Sequence, residues 1–342
     1  MVRTATQGVT LTLRTDDLPP EELIFGRSAA MQEFRQRITK FAATNVPLLI
    51  QGETGTGKGV LARYIHSQSS VAAGPFVSVN CAAIPGTLLE SELFGYEEGA
   101  FTGAYSSKPG LVELAHKGAL FLDRIDEIDP VLQAKLLQLL QDAQFSRIGG
   151  REDINVQIRV ICATSRPLEH ELAVGRFRAD LYYRINVATV ELPTLRSRIE
   201  DVPQLARYFY ERLRKRYKSS AAPISPLLLK LFEQHTWPGN IRELENLMER
   251  YVILGSEEAI SEELVSWERT PIAPELPTNG PIQLKKVTRK AVRELEGWII
   301  LSALEANRWN RKRAARDLRI SYRSLLYKIR QAGLNPPHAR IA

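Results

Sequence analysis

Short apolar runs alternate with longer helical patterns between Ile24 and about Leu195. The runs are VPLLIQ, GPFVSVN, GALFLD and IRVICAT. Strands separated by helices in this order are typical of a parallel sheet with crossover connections. The pattern therefore predicts an α/β subdomain over residues 24–195.

A second pattern begins near residue 196, where the periodicity becomes helical throughout. It is carried by VPQLARYFYERLRKRY, SPLLLKLFEQH and NIRELENLMERYVIL, which predict an all-helical lid over 196–267. Four prolines between Pro271 and Pro281 prevent either a helix or a strand from continuing. We therefore expect a linker over 268–283 and a third, all-helical unit over 284–342.

The N-terminal residues, 1–23, are polar and end with Pro19-Pro20, which predicts a short arm, either a leader strand or a loose segment. The N-terminus lacks the apolar core of a signal peptide, and no apolar run of the chain approaches the length of a membrane-spanning helix. Cys81 and Cys162 are too few for a disulfide framework or a zinc site. We expect a cytoplasmic protein without a membrane partner.

Charge is distributed unevenly over the 342 residues, whose net charge is +7. Residues 282–342 carry 15 Lys and Arg against 4 Asp and Glu, and the remaining chain carries 31 against 35. A small basic unit beside a mildly acidic body indicates that the C-terminal part meets a polyanion. The alternative is a basic helix that is merely solvated.

A glycine-rich string lies between the apolar strand Val46–Ile50 and the helical pattern VLARYIHSQ. Its glycines let the backbone wrap phosphates, its amides attract anions, and Lys58 reaches the terminal phosphates. This P-loop predicts ATP binding by Gly52, Glu53, Thr54, Gly55, Thr56, Gly57, Lys58 and Gly59. Since Gly59 replaces the usual Ser or Thr, magnesium must depend more on a carboxylate elsewhere.

That carboxylate is Asp123, which ends the apolar strand in GALFLDRIDEID. A carboxylate at the end of a buried strand near a P-loop is positioned to hold magnesium. The next residue is Arg124, which cannot accept a proton at working pH. Asp126 and Glu127 follow closely but need not point at the same place. The sequence therefore leaves the catalytic base open.

Phe101 and Thr102 stand between small residues in the hexapeptide Gly99–Ala104. Two glycines and two alanines leave one aromatic ring and one hydroxyl on a flexible tip that nothing nearby can bury. Such a tip predicts a contact surface. The alternative is a glycine-rich turn whose phenylalanine folds back into the core.

Together these motifs resemble the bacterial enhancer-binding proteins, the AAA+ activators of sigma-54 RNA polymerase. The resemblance covers about Ile24 to Leu254 and the C-terminal unit. It implies an AAA+ fold, a ring in which each ATP site is completed by a neighbour, and remodelling of closed sigma-54 promoter complexes. It also implies that the hexapeptide contacts sigma-54 through Gly99, Ala100, Phe101, Thr102, Gly103 and Ala104.

The resemblance assigns further residues to the ATP site. Relatives have Glu at the position of Arg124 to polarise water, and Asn80 stands at the position that partners that glutamate. Thr164 and Ser165 correspond to a sensor strand that ends in Thr-Asn in relatives. Arg178 and Arg184, in GRFRADLYYRINV, match arginines that reach a neighbouring subunit's nucleotide, and Arg242, in WPGNIREL, matches a lid arginine directed at the nucleotide.

The C-terminal unit resembles a Fis-type helix-turn-helix. Ala314, Ala315 and Leu318 would form the packed face of the first helix, and Leu325, Leu326 and Ile329 that of the second. The predicted DNA-binding residues are Arg311, Lys312, Arg313, Ser321, Tyr322, Arg323, Ser324, Tyr327 and Lys328. A helix-turn-helix dimer reads half-sites about one helical turn apart, which favours a palindromic enhancer. The alternative is a basic dimerisation unit.

Three functions remain after the sequence is considered. The first is an ATP-driven sigma-54 activator without its own receiver domain, controlled by a separate protein, by its expression level or by its N-terminus. The second is an ATP-binding but hydrolysis-impaired DNA regulator, or the inactive partner of a mixed ring, as Arg124 and Ser165 indicate. The third, an AAA+ unfoldase or helicase, does not account for the hexapeptide beside a helix-turn-helix.

Overall fold

The computed structural model describes residues 3–5, 9–12, 18–269, 300, 303–304, 307, 310–318 and 320–332. All of the predicted linker, 268–283, except residues 268–269 therefore lies outside the described residues. Of the predicted arm, 1–23, residues 1–2, 6–8 and 13–17 also lie outside them. The chain divides into two compact units, 1–257 and 258–342, which are described separately. Across the described residues, no helix combines the length and apolar character needed to span a membrane.

Eleven short strands are described in the first unit, and seven of them form one sheet. The strands are β1 (Arg3–Ala5), β2 (Val9–Thr12), β3 (Leu48–Gln51), β4 (Phe76–Asn80), β5 (Gly95–Tyr96), β6 (Lys108–Pro109), β7 (Ala119–Asp123), β8 (Gln144–Phe145), β9 (Ile154–Asn155), β10 (Arg159–Thr164) and β11 (Ala188–Glu191). The large sheet has the order β1-β2-β4-β7-β10-β3-β11. Strands β4, β7, β10, β3 and β11 are parallel, and the β1–β2 hairpin pairs antiparallel with β4.

The described helices surround this sheet and form the lid and the C-terminal unit. They are α1 (Glu21–Phe25), α2 (Ala29–Ala42), α3 (Lys58–Ser67), α4 (Gly86–Phe94), α5 (Leu111–Leu114), α6 (Pro130–Asp142), α7 (Leu168–Ala173), α8 (Ala179–Ile185), α9 (Val202–Tyr217), α10 (Pro226–Gln234), α11 (Asn240–Leu254), α12 (Glu257–Arg269), α13 (Arg311–Asp317) and α14 (Tyr322–Ala332).

Both faces of the sheet are buried because successive residues of a strand point to opposite sides. Leu48 and Ile50 of β3 pack with α2 and α3, whereas Leu49 packs on the other face with α4 to α8. The four apolar runs recognised in the sequence are β3, β4, β7 and β10, which confirms the predicted parallel α/β fold. The N-terminal hairpin and β11 were not predicted.

The lid is helical, as predicted, and its core is built around one buried tryptophan. Trp237 has no exposed surface, and its Nε1 donates to the Phe232 carbonyl at 2.8 Å. The ring packs edge-on against Phe232 and His235. This packing fixes the turn that leads into α11, whose first residue, Asn240, has φ 54°.

In the second unit, α13 and α14 pack around a small core. The core residues are Ile300, Leu304, Ala314, Ala315, Leu325 and Ile329. Asn310 Oδ1 accepts the Arg313 amide and Ser321 Oγ accepts the Ser324 amide, so a side chain caps the start of each helix. Leu318 is half-buried and packs against this core, as predicted, whereas Leu326, also predicted on a packed face, is half-buried outside the core.

Candidate functional site

The P-loop connects β3 to α3 in a tight backbone wrap. Gly52, Gly55 and Gly57 have φ values of 151°, 82° and 103°, which side-chain-bearing residues rarely adopt. Lys58 Nζ donates to the carbonyls of Gly52 at 2.6 Å and Glu53 at 3.0 Å, so the ammonium is held inside the loop. Burial lowers the pKa of Lys58, although Asp123 opposes this. The loop and helix N-terminus form an anion-binding arrangement.

Asn80 and Asp123 end neighbouring strands at the same edge of the sheet and are register partners. Burial raises the pKa of Asp123, and Lys58 opposes the shift. Asp123 Oδ1 is buried without a hydrogen-bond partner among the described residues. A carboxylate with one free oxygen suits Mg²⁺, which keeps several waters and takes its other ligands from phosphates.

The protein itself offers little else for a metal ion at this position. Gly59 has no hydroxyl, and within the described part of the chain no group of three or more His, Cys, Asp or Glu could hold a metal. The fit is therefore to magnesium that arrives with a nucleotide, with Asp123 as the protein's ligand.

Arg124 lies beside Asp123 in a left-handed backbone conformation, with φ 59° and ψ 51°. Its Nη2 donates to Glu127 Oε1 at 2.8 Å, while its Nε is buried without a partner among the described residues. Asp126 Oδ1 lies 2.9 Å from Thr164 Oγ1. The two acidic residues after Arg124 thus have different partners, and Glu127 is tied to an arginine instead of being free to accept a proton.

The predicted sensor residues divide between two places. Thr164 is fully buried, with Oγ1 2.7 Å from the Arg166 carbonyl as well as near Asp126. Ser165 instead lines the cavity beside the P-loop. Asn80 also lines the cavity, and its Oδ1 accepts the Ala82 amide at 3.2 Å. Only Ser165 of the Thr164–Ser165 pair is therefore brought to the cavity.

The cavity has a volume of about 530 Å³, within the range of small-molecule sites. Four cationic and two anionic side chains lie among its lining residues, so it favours a polyanion. The cations are Lys58, Arg63, Arg124 and Arg242, and the anions are Asp123 and Glu245. Most of the predicted nucleotide residues meet here, namely Thr54, Gly55, Gly57, Lys58, Gly59, Asn80, Asp123, Arg124, Ser165 and Arg242.

A smaller, mainly apolar pocket of about 120 Å³ adjoins this cavity and shares Gly57, Val60, Ile241 and Glu245 with it. Its remaining lining comes mainly from residues 19–34 and from α9, with Thr56, Leu61, Leu192 and Arg198 added, and only Thr56 was predicted. The apolar side chains include Leu23, Ile24, Phe25, Met31, Leu192 and Leu205. The run LIF at 23–25 was the sequence signal that could have indicated it.

The lid closes on the P-loop through Asn240, the first residue of α11. Asn240 Nδ2 donates to Glu53 Oε2 at 3.0 Å and to the Thr54 carbonyl at 3.1 Å. The Arg242 amide donates to the Gly55 carbonyl at 3.3 Å. Glu53 also forms an ion pair with Arg196, and hydrogen bonds from Arg196 and Asn240 lower its pKa to about 2. Arg196 and Asn240 were not recognised in the sequence.

Arg178 and Arg184 are exposed and lie outside the lining of the cavity. Arg178 Nη2 forms an ion pair with Asp180 at 2.7 Å. Arg184 donates to the Leu140 carbonyl from Nε at 3.1 Å and Nη2 at 2.8 Å. Their assignment to a neighbouring subunit's site stays a prediction.

The hexapeptide Gly99–Ala104 lies in the loop between β5 and β6. Gly99 and Gly103 have positive φ, and the Gly99 amide donates to the Ala104 carbonyl at 2.9 Å. Phe101 is 44% exposed, and its ring packs edge-on against Tyr96 with centroids 4.9 Å apart. Phe101 and Thr102 are exposed, as expected for the tip, although Tyr96 covers one side of the Phe101 ring and Ala104 is buried.

The predicted DNA-binding residues all lie outside the core of the C-terminal unit. Most are exposed, and only Ser324 and Lys328 are half-buried. The exposed members are Arg311, Lys312, Arg313, Ser321, Tyr322, Arg323 and Tyr327. Tyr327, at 67% exposed, is the most accessible aromatic ring of α14.

Comparison with known protein families matches three consecutive parts of the chain. Residues 24–191 match the Sigma-54 interaction domain, 196–276 the AAA+ ATPase lid domain, and 291–331 the Bacterial regulatory protein, Fis family. The matches follow the order of the α/β sheet, the lid helices and the α13–α14 pair.

The chain is also similar to whole proteins and to solved structures. It is 44% identical to Regulatory protein AtoC of Escherichia coli K12 over 316 residues, covering 92% of this chain and 68% of AtoC. It is 40% identical to the Nif-specific regulatory protein of Azotobacter vinelandii over 320 residues, covering 92% of this chain but 60% of that protein. The crystal structure of Brucella abortus NtrX in complex with ATP matches with TM-score 0.67 and 33% identity, covering 94% and 71%. This chain belongs to the sigma-54-dependent transcriptional regulators, with an AAA+ ATPase-type sheet and lid followed by a Fis-type helix-turn-helix.

Proposed function

We propose that this protein binds ATP and Mg²⁺ in the 530 Å³ cavity, binds enhancer DNA through α13 and α14, and acts on closed complexes of sigma-54 RNA polymerase. The observation that carries the proposal is the convergence of the P-loop, Asp123 and the lid residue Arg242 on one cation-rich cavity. Because its partners are DNA and polymerase, the protein acts in the cytoplasm.

The lining suggests how a nucleotide is arranged. The P-loop amides and Lys58 hold the phosphates, and Arg242 approaches them from the lid. Magnesium, when bound, neutralises phosphate charge and orients the terminal phosphate. The adjoining apolar pocket accepts the purine base, since it continues from Gly57 and Val60.

The chain path offers a route from the nucleotide to the hexapeptide loop. Asn80 ends β4 at the cavity, and Asp123 ends β7 at the same place. The segment between them contains α4, the loop with Phe101 and α5. A change in nucleotide state that moves either strand end therefore acts on an element flanking the loop. We propose that Phe101 and Thr102 contact sigma-54 and that Arg178 and Arg184 complete a neighbour's site in a ring.

The experiment that tests this function is promoter opening. Purified protein with sigma-54 polymerase, a promoter carrying its enhancer, and ATP should yield open complexes, detected by permanganate reactivity of unpaired thymines. Lys58→Ala should lose the effect because the phosphates lose their cation. Absence of open complexes at saturating ATP, with a known activator opening the same promoter, would rule the proposal out.

A second function is favoured by the geometry at Arg124. Its guanidinium occupies the cavity beside Asp123, and Glu127 is paired with it. With Asp126 near Thr164, no carboxylate following β7 in 124–127 is left unpaired to activate water. This arrangement supports an ATP-binding regulator with impaired hydrolysis, acting through binding alone or as one partner of a mixed ring. Turnover in the parent and in Arg124→Glu distinguishes the two functions.

A further inference from the structure

The C-terminal half of α9 concentrates positive charge on the lid. Residues 207–218 contain six Lys or Arg and one acidic residue. This contrasts with residues 1–281 as a whole, where Asp and Glu outnumber Lys and Arg by 35 to 31. The local excess of cations therefore does not follow from the composition of the AAA+ part.

Most of this charge is not neutralised by the residues that the structure describes. Arg212 forms an ion pair with Glu245. Five exposed cations have no ion pair among the described residues, and we call them the α9 basic surface. They are Arg207, Arg214, Lys215, Arg216 and Lys218.

Two of these guanidinium groups are positioned by aromatic rings. Arg214 lies over Tyr210 at 5.9 Å and Arg216 over Tyr217 at 5.5 Å. A guanidinium stacked on a ring keeps its N–H edge available to an acceptor. The helix beneath is firmly seated, since Leu205, Phe209 and Leu213 are buried. The surface is therefore held in place before any partner binds.

The helix dipole explains only part of the accumulation. Cations near a helix C-terminus are favourable, and Arg214, Lys215 and Arg216 occupy the last turn. Like charges four residues apart oppose this, as for Arg214 and Lys218. Stabilisation of α9 through its dipole therefore does not explain five cations without ion pairs among the described residues, and their accumulation indicates an external polyanion.

We propose that the α9 basic surface binds the phosphate backbone of double-stranded DNA, independently of sequence. A helix rises 1.5 Å per residue, so Arg207 to Lys218 extends over roughly 16 Å. Duplex DNA presents about one charge per 1.7 Å of axis, so a duplex segment of this length carries more phosphate charges than the surface carries cations. An acidic protein fits less well, because protein interfaces are depleted in Lys, whereas DNA interfaces are strongly cationic. This contact places DNA on the AAA+ lid and is additional to the proposed binding of enhancer DNA by α13 and α14.

The test uses the full chain and a 40-base-pair duplex without palindromic half-sites. The surface variant combines Arg214→Gln, Lys215→Gln, Arg216→Gln and Lys218→Gln. The control removes four exposed charges elsewhere, by Lys40→Gln, Lys117→Gln, Arg151→Gln and Lys230→Gln. Fluorescence anisotropy gives DNA affinity from 50 to 200 mM salt, and circular dichroism and light scattering establish that fold and assembly are unchanged.

Each phosphate contact contributes about 0.9 to the slope of log affinity against log salt. The surface variant should therefore lose about 3 to 4 from the slope, whereas the control keeps the parent value. The difference in slope between surface and control variants should persist in a background where Arg311, Lys312 and Arg313 are all changed to Gln. DNA binding by the α9 basic surface is thereby tested separately from DNA binding by the helix-turn-helix. Equal slopes for surface and control variants overturn the proposal. Weakened sigma-54 binding with an unchanged DNA slope also overturns it and identifies an acidic protein partner instead.

Discussion

Replacing Arg124 with glutamate decides whether this chain hydrolyses the nucleotide that it binds. The four cations and two carboxylates of the cavity give a formal charge of +2, which the replacement lowers to zero. Arg124 has φ 59°, and Arg and Glu tolerate a positive φ about equally poorly, so the replacement should change backbone strain little. The lost Arg124–Glu127 pair is about 40% exposed, with side-chain exposures of 42% and 37%, and contributes at most about 1 kcal/mol. The fold should therefore be unaffected.

Two opposite effects on the nucleotide are expected. Arg124 lines the cavity proposed to hold the phosphates, and we expect its guanidinium to donate to one of them. Such a charge-assisted hydrogen bond is worth about 1.5–3 kcal/mol, so its loss should lower ATP affinity roughly 10- to 150-fold. A positioned carboxylate base contributes about 10²–10⁴ to the chemical step, so turnover at saturating ATP should rise by that order. The parent, which has no free carboxylate at positions 124–127, should turn over slowly.

Phosphate release at saturating Mg-ATP measures the rate, and titration calorimetry measures affinity for ATP and ADP. Arg124→Gln removes the cation but also releases Glu127, so the matched control is Arg124→Gln combined with Glu127→Gln. Both variants should lose ATP affinity, and the double variant should gain no turnover. Lys58→Ala should abolish both signals. Parent turnover equal to that of Arg124→Glu would refute the reasoning about the base, and unchanged ATP affinity in Arg124→Gln would refute the phosphate contact.

Four further substitutions test other parts of the structure. Gly55→Ala should lower stability by more than about 1 kcal/mol and abolish ATP binding, because φ is 82° and the new Cβ would lie 2.2 Å from the Gly239 carbonyl oxygen. Gly59→Ala is the control, because its Cβ would meet only Phe121 at 3.7 Å, and it should keep or raise the melting temperature. A loss of stability in Gly59→Ala equal to that in Gly55→Ala would contradict the steric explanation. The pKa of Glu53 is lowered to about 2, so the stabilisation from its ionised form is present above pH 4.5 and is lost as pH falls towards 2. This stabilisation should stay below about 1 kcal/mol, because the Glu53 side chain is 40% exposed. Thermal melts of Glu53→Gln should therefore show a weaker decline between pH 5 and 2 than the parent, and identical declines would exclude this contribution. Phe101→Ala should reduce sigma-54 binding in a pull-down while changing stability by about 1 kcal/mol or less, since the ring is 44% exposed; a large stability loss would show that the contact with Tyr96 is structural.

The sequence predicted the buried strands well because apolar runs bounded by turn residues have few alternatives. It did not predict β11, where Ala188–Glu191 alternates buried and exposed positions in only four residues. It also did not predict that β1 and β2 extend the sheet beside β4, since pairing partners far along the chain leave no local signal. The pattern of apolar residues thus predicts the presence of a strand more readily than it predicts which strand pairs with it.

The site was predicted where a short motif contains its own chemistry. The P-loop and Asp123 are of this kind. Arg196 and Asn240 were missed because their role comes from meeting Glu53 across more than 140 positions of sequence. The cover on Phe101 was missed for a similar reason, since Tyr96 stands outside the hexapeptide and reaches the ring only when the loop folds.

The contact between α11 and the P-loop makes the lid part of the thermodynamics of nucleotide binding. The Arg242 amide reaches the Gly55 carbonyl, and farther along the same helix Glu245 pairs with Arg212 of α9. Linkage is reciprocal for binding free energies. If ATP changes the affinity of the α9 basic surface for DNA by some factor, DNA must change the affinity for ATP by the same factor. Nucleotide occupancy measured without DNA therefore describes only two of the four states of the binding cycle.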